Sequence, residues 1–124
     1  MTLRMSAIEG RFAVCRLSPD ARVPSWPRGA FVSITRTADE LSIVCDESFA
    51  PDDIRAERDW RALRVEGPIP FEMTGVAAAI TTPLANAGIS VFLVATFDTD
   101  YVLVKSDAFE RAAEALRASG IDLP

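Results

Sequence analysis

The sequence predicts an α+β protein made of two βαββαβ units of the ferredoxin-like type in tandem, with antiparallel sheets and helices on one face. Three observations carry this expectation. A strand-turn-strand pattern occurs twice, each copy leads into a helical pattern, and the copies lie about half of the 124-residue chain apart. Phe31–Arg36 and Leu41–Cys45 alternate apolar and polar side chains around the polar turn Ala38, Asp39 and Glu40, which reads as a hairpin. Val91–Thr96 and Tyr101–Lys105 repeat the pattern around Asp98, Thr99 and Asp100. An offset of 60 residues superposes Ile34 on Val94, Leu41 on Tyr101 and Val44 on Val104.

The remaining elements follow in chain order. Phe12–Leu17 reads as a strand. The helix that should follow it falls on Pro19, Pro24 and Pro27, which remove helical donors, so it is expected to shrink to a loop with Trp26 plugging the sheet. Pro51, Asp52 and Asp53 open an expected helical run through Trp60, and Arg55, Arg58, Arg61 and Arg64 recur at about helical spacing, as a salt-bridged surface or an interface would. Leu63–Glu66 reads as a strand that either closes the first unit or opens the second. Gly75–Ala87 reads as a helix with Val76, Ile80 and Leu84 on one face, ended by Gly88. A second helix from Ser106 to Ser119 places Phe109, Ala112, Ala113 and Leu116 on one stripe and stops at Gly120. The expected units are residues 1–61 and 62–124, with interleaving of the two into one body left open.

Composition narrows the chemistry. The chain carries 13 Lys+Arg against 18 Asp+Glu and no histidine. A net charge of −5 argues against a phosphate-backbone footprint, and the absence of histidine excludes His-based catalysis, metal ligation and pH switching. Cys15 and Cys45 lie in apolar stretches without metal spacing and are expected to be buried, reduced thiols. No run of about 18 apolar residues occurs, so a cytoplasmic protein with no membrane partner is expected. The adjacent acids Asp46/Glu47 and Asp52/Asp53 suit helix starts and solvated surface better than a shared catalytic bond. No nucleophile stands beside a base and no phosphate loop is present, so no enzymatic activity and no cofactor are expected.

Three stretches, SITRTADELSIVCDE at 33–47, GPIPFEMTGVAAAITTPLANAGISVF at 67–92 and TFDTDYVLVK at 96–105, resemble a bacterial family of small tandem ACT-domain proteins. The resemblance covers roughly residues 10–120 and extends to the ACT repeats of animal cytosolic arginine sensors and of aspartokinase regulatory domains. It implies sensing of an amino acid or other small molecule at interfaces between ACT units, often across a dimer.

The residues themselves offer three candidate contacts. Thr74, Gly75 and Val76 form the corner where a strand hands over to a helix, whose free amides suit a carboxylate; Thr74 is also a candidate N-cap. Asp98, Thr99 and Asp100 place carboxylates on a hairpin turn, where they suit an ammonium or guanidinium, although Asp and Thr are also ordinary turn residues. Ser33 and Thr35 on one strand face, with Ile34 and Arg36 beside them, offer hydroxyls and a carboxylate fork, or simply a solvated face. The leading expectation is a non-enzymatic regulatory sensor, a homodimer binding an amino acid. The alternative is a ligand-free adaptor docking a partner by a sheet edge or the Arg-rich helix.

Overall fold

Both hairpins form. In a computed structural model, which describes residues 2–124, the elements run β1 (Met5–Leu17), β2 (Ser33–Arg36), β3 (Leu41–Asp46), β4 (Arg55–Val65), α1 (Val76–Asn86), β5 (Phe92–Ala95), β6 (Asp100–Lys105) and α2 (Phe109–Ala118). Short 3-10 turns, Glu47–Phe49 and Ser106–Ala108, follow β3 and β6. The chain divides into an amino-terminal unit, Ile8–Trp60, and a carboxy-terminal unit made of residues up to Ala7 together with Arg61–Pro124.

In the amino-terminal unit the strand order is β2-β3-β1-β4, with β3 antiparallel to both of its neighbours β1 and β2. Alternation along β1 and β3 buries Ala13, Cys15, Leu41, Ile43 and Cys45 together on one face, where Trp26 and Ala56 also pack. Both cysteines are free. Burial pushes the Cys15 thiol up to about 11 and raises that of Cys45, so both stay protonated at neutral pH. The proline-containing segment between β1 and β2 forms no helix, as its sequence predicts.

The stretch from Pro51 to Trp60, expected as a helix, is instead a turn followed by the first half of β4. The charged side chains recur every third residue, but burial along Arg55–Trp60 alternates with a period of two, with Ala56, Arg58 and Trp60 turned inward. Arg58 takes an inward position because its stem is apolar and its guanidinium donates to the Pro51 carbonyl (2.7 Å). Burial of alternate side chains thus overrides helix propensity here. The amino-terminal unit therefore carries no α-helix, and the four arginines share no helical face.

The carboxy-terminal unit has the order β1-β4-β6-β5, with β5 antiparallel to β6, and holds both α-helices of the described residues. Val76, Ile80 and Leu84 of α1 and Ala112, Ala113 and Leu116 of α2 are buried against Met5, Leu63, Val65, Val102 and Val104 of the sheet. Gly120, at φ 101°, ends α2 as the left-handed residue its position predicts, and its N–H donates to the Arg117 carbonyl (3.0 Å). Beyond it the chain returns to the sheet: Met5 N–H donates to the Asp122 carbonyl (2.8 Å) and Asp122 N–H to that of Leu3 (2.9 Å).

The two hairpins correspond at an offset of 59, not 60. Ser33–Arg36 maps onto Phe92–Ala95, Leu41–Asp46 onto Asp100–Lys105, and the 3-10 turn at 47–49 onto that at 106–108. A slip of one residue exchanges the two faces of a strand, so Val44 corresponds to Leu103 rather than Val104. The apolar runs Ile43–Cys45 and Val102–Val104 are buried on consecutive positions, which erases the period that would have fixed the register.

Candidate functional site

The turn of the second hairpin is built by its own threonines. Thr96 N–H and Oγ1–H both donate to the Thr99 carbonyl (2.9 Å each). Thr99, only 7% exposed, donates its hydroxyl to the Val65 carbonyl of β4 (2.7 Å). Of the candidate turn residues, Thr99 therefore points inward and ties the turn to β4. The segment after β4 is fastened to the same turn, since Ile69 N–H donates to the Asp98 carbonyl (2.7 Å). Gly67 permits this approach, because a Cβ there would lie 3.1 Å from the Asp98 carbonyl oxygen and 3.1 Å from Thr99 Cβ.

This fastening brings two of the expected candidates together. Gly75, Val76 and Ala77 at the start of α1, and Asp98, Thr99 and Asp100 on the turn, line one cleft of about 330 Å³. Gly75, at φ 81°, occupies the N-cap position that Thr74 was expected to fill; no side chain caps the helix and no acidic residue sits in its first turn. Its amino-terminal amides and positive dipole end therefore favour an anion. Thr74 is exposed beside this corner. Among the described residues the carboxylates of Asp98 and Asp100 have no hydrogen-bond or ion-pair partner. The cleft thus holds both an anion-favouring corner and two carboxylates without a partner among the described residues.

At the mouth of the cleft stand Phe71, 72% exposed, and Phe97, 78% exposed, with ring centroids 4.7 Å apart and planes at 82°. Neither was singled out from the sequence, where an aromatic in a turn carries no periodic signal. The third expected group is placed elsewhere. Ser33, Ile34, Thr35 and Arg36 form β2 of the amino-terminal unit, and Arg36 donates to the carbonyls of Pro19 and of Ala21 (2.7 Å for the latter). Its fork holds the proline-containing loop.

Two further clefts lie in the carboxy-terminal unit. One, of about 320 Å³, is lined by Arg64, Glu66, Gly67, Pro68, Asp98, Thr99 and Tyr101. The other, of about 430 Å³ between α1 and the turn after α2, has no ionisable side chain in its lining. The Arg61 guanidinium carbon lies over the Phe109 ring at 4.2 Å from its centroid. No three acidic or cysteine side chains among the described residues gather as a metal site, and none of these helices is long and apolar enough to cross a membrane.

Residues 55–118, just over half the chain, match the family model of the ACT domain, and residues 10–53 match a second model, that of an N-terminal domain. The chain belongs to the ACT-domain family. Among solved structures, this ACT-domain protein is similar to a crystal structure from Agobacterium tumefaciens (38% identity, TM-score 0.94, covering 100% of this chain and 93% of that one). In fold alone it resembles the aspartate kinase of Clostridium acetobutylicum (15% identity, TM-score 0.67, 90% of this chain and 33% of that one). Human CASTOR3P is 32% identical over 109 residues, 73% of this chain and 67% of that protein. The cytosolic arginine sensor for mTORC1 subunit 1 of Bos taurus is 32% identical over 96 residues, 71% of this chain and 29% of that protein. The ACT-domain chain thus spans two thirds of the first of these curated relatives and less than a third of the second. The family expected from residues 33–47, 67–92 and 96–105 is the family found.

Proposed function

We propose that this ACT-domain protein is a non-enzymatic regulatory sensor that binds an amino acid in the cleft between the start of α1 and the turn at 98–100. One observation carries the reading: the fold brings an uncapped helix N-terminus and the free carboxylates of Asp98 and Asp100 to one small cleft. In this reading the ligand carboxylate meets the amides after Gly75, its ammonium or cationic side chain meets Asp98 and Asp100, and Thr74 and Val76 line the approach. The similarity to a cytosolic arginine sensor supports the ligand class and a cytoplasmic setting. We take the amino-terminal unit as a second ACT-like unit that lacks its helices, with Ser33, Ile34, Thr35 and Arg36 as a secondary contact surface. The working form is taken to be a homodimer that uses neither nucleic acid nor membrane.

A thermal-shift screen of the twenty amino acids tests this, with Asp100→Asn as the control of equal shape. A ligand that binds only the folded state stabilises it by RT ln(1 + [L]/Kd), about 2.7 kcal/mol at one hundred times Kd. One amino acid is expected to raise the melting temperature of the wild type and to have a much smaller effect on the variant. A flat screen on folded protein favours a ligand-free adaptor instead. For that role the exposed Leu93 of edge strand β5 and Ile34 of edge strand β2, with Phe71 and Phe97, offer apolar surface.

A further inference from the structure

Consecutive residues of a strand point to opposite faces, and β6 uses this at its first two positions. Asp100 lines the cleft at the start of α1, whereas Tyr101 lines the cleft of about 320 Å³ beside β4. The same alternation acts at the end of β4. Val65 is buried in the core that holds both helices, so its neighbours Arg64 and Glu66 turn to the other face. The second cleft is therefore a separate space, and Asp98 is the ionisable side chain that borders both.

Its charged side chains are exposed and unpaired among the described residues. Elsewhere in this unit Arg4 pairs with Asp122 (3.3 Å) and Arg117 donates to the Leu123 carbonyl (2.7 Å). Among the described residues the Arg64 guanidinium and the Glu66 and Asp98 carboxylates have no partner, although all three border one cleft. A guanidinium and two carboxylates bordering one cleft of about 320 Å³, at the lower end of small-ligand volumes, suit a molecule that carries both signs. A guanidinium fork receives a carboxylate in bidentate fashion, and free carboxylates receive an ammonium.

We propose that this cleft is a second small-molecule site, for a free amino acid or a similar small zwitterion, with its carboxylate on Arg64, its ammonium between Glu66 and Asp98, and the Tyr101 ring as a wall. It does not depend on the site at the start of α1. Two carboxylates against one guanidinium select against acidic ligands, because a second negative charge on the ligand meets an unpaired carboxylate.

Amide chemical-shift titration of the full chain with glycine, L-glutamine and L-glutamate tests the proposal, on the wild type, Arg64→Gln and Asp100→Asn. Glycine and glutamine are expected to shift the amides of Glu66 and Tyr101, glutamate to do so several-fold more weakly, and Arg64→Gln to weaken the response about tenfold, as loss of one charge-assisted contact predicts. Shifts at Val76 and Ala77 report the other site separately and are expected to respond to Asp100→Asn but not to Arg64→Gln. Absence of shifts at Glu66 and Tyr101, or shifts that Arg64→Gln leaves unchanged, overturns the second site whatever happens at α1. Shifts at Glu66 and Tyr101 without any at Val76 and Ala77 uphold it and reject the first.

Discussion

Thr99 sits at the centre of the candidate site yet faces away from the cleft's solvent. Its hydroxyl donates to the Val65 carbonyl at 2.7 Å, and this bond joins the turn bearing Asp98 and Asp100 to the strand before the 66–75 segment. Thr99→Val keeps the shape and removes a buried side-chain to backbone hydrogen bond, at a cost of about 1–3 kcal/mol. Urea denaturation is expected to show this loss, with Thr99→Ser retaining most of the stability. Equal stability of Thr99→Val and the wild type would refute the tie. At this scale Gly75, Val76, Asp98 and Asp100 were candidates in the sequence, each with an ordinary structural use as well, and what the structure adds is that they line one cleft. The inward hydroxyl of Thr99 was not legible, since threonine is equally at home on either side of a turn. Arg64 and Glu66 were hidden for another reason. They lay in the strand expected over Leu63–Glu66, but nothing in the sequence showed that Asp98 and Tyr101 would border the same cleft.

At the scale of elements, the two hairpins share more than a strand pattern. Thr37 N–H donates to the Glu40 carbonyl (2.9 Å) and its Oγ1 accepts from Glu40 N–H (3.2 Å). Thr96 treats Thr99 in the same way, with N–H to carbonyl at 2.9 Å and Oγ1 accepting at 3.4 Å. A threonine 59 positions from its counterpart thus closes both turns, and it marks the register that the apolar runs left ambiguous. Thr37→Val and Thr96→Val are each expected to lower stability by about 1 kcal/mol, since each loses comparable local hydrogen bonds at an exposed turn. Denaturant midpoints measure this, and a loss confined to one turn would argue against their equivalence. Hairpins and helices α1 and α2 were readable because their patterns are local. Strand β4 was not, because its charged half acquires its period only from what Ala56, Arg58 and Trp60 pack against.

For the whole chain, the decisive feature is that the carboxy-terminal unit borrows the chain's beginning. Leu3 and Met5 are buried in the core that holds α1 and α2, and backbone bonds join Met5 to Asp122, Asp122 to Leu3, and Glu66 to Arg4. Residues 61–124 alone would expose the apolar surface covered by Leu3 and Met5 and leave the amides of Glu66 and Asp122 without partners. Burying a side chain such as Met5 is worth roughly 2–3 kcal/mol, and small domains have only about 5–15 kcal/mol in total. The fragment 61–124 is therefore expected to be largely unfolded by circular dichroism and amide dispersion. Adding a synthetic peptide of residues 1–17 should restore structure in a saturable way, and a peptide with Met5→Ala should do so more weakly. The same restoration should recover any ligand response at Val76 and Ala77, because α1 packs on the core that Met5 completes. A fragment 61–124 that folds and binds without the peptide would show that the borrowed strand is dispensable.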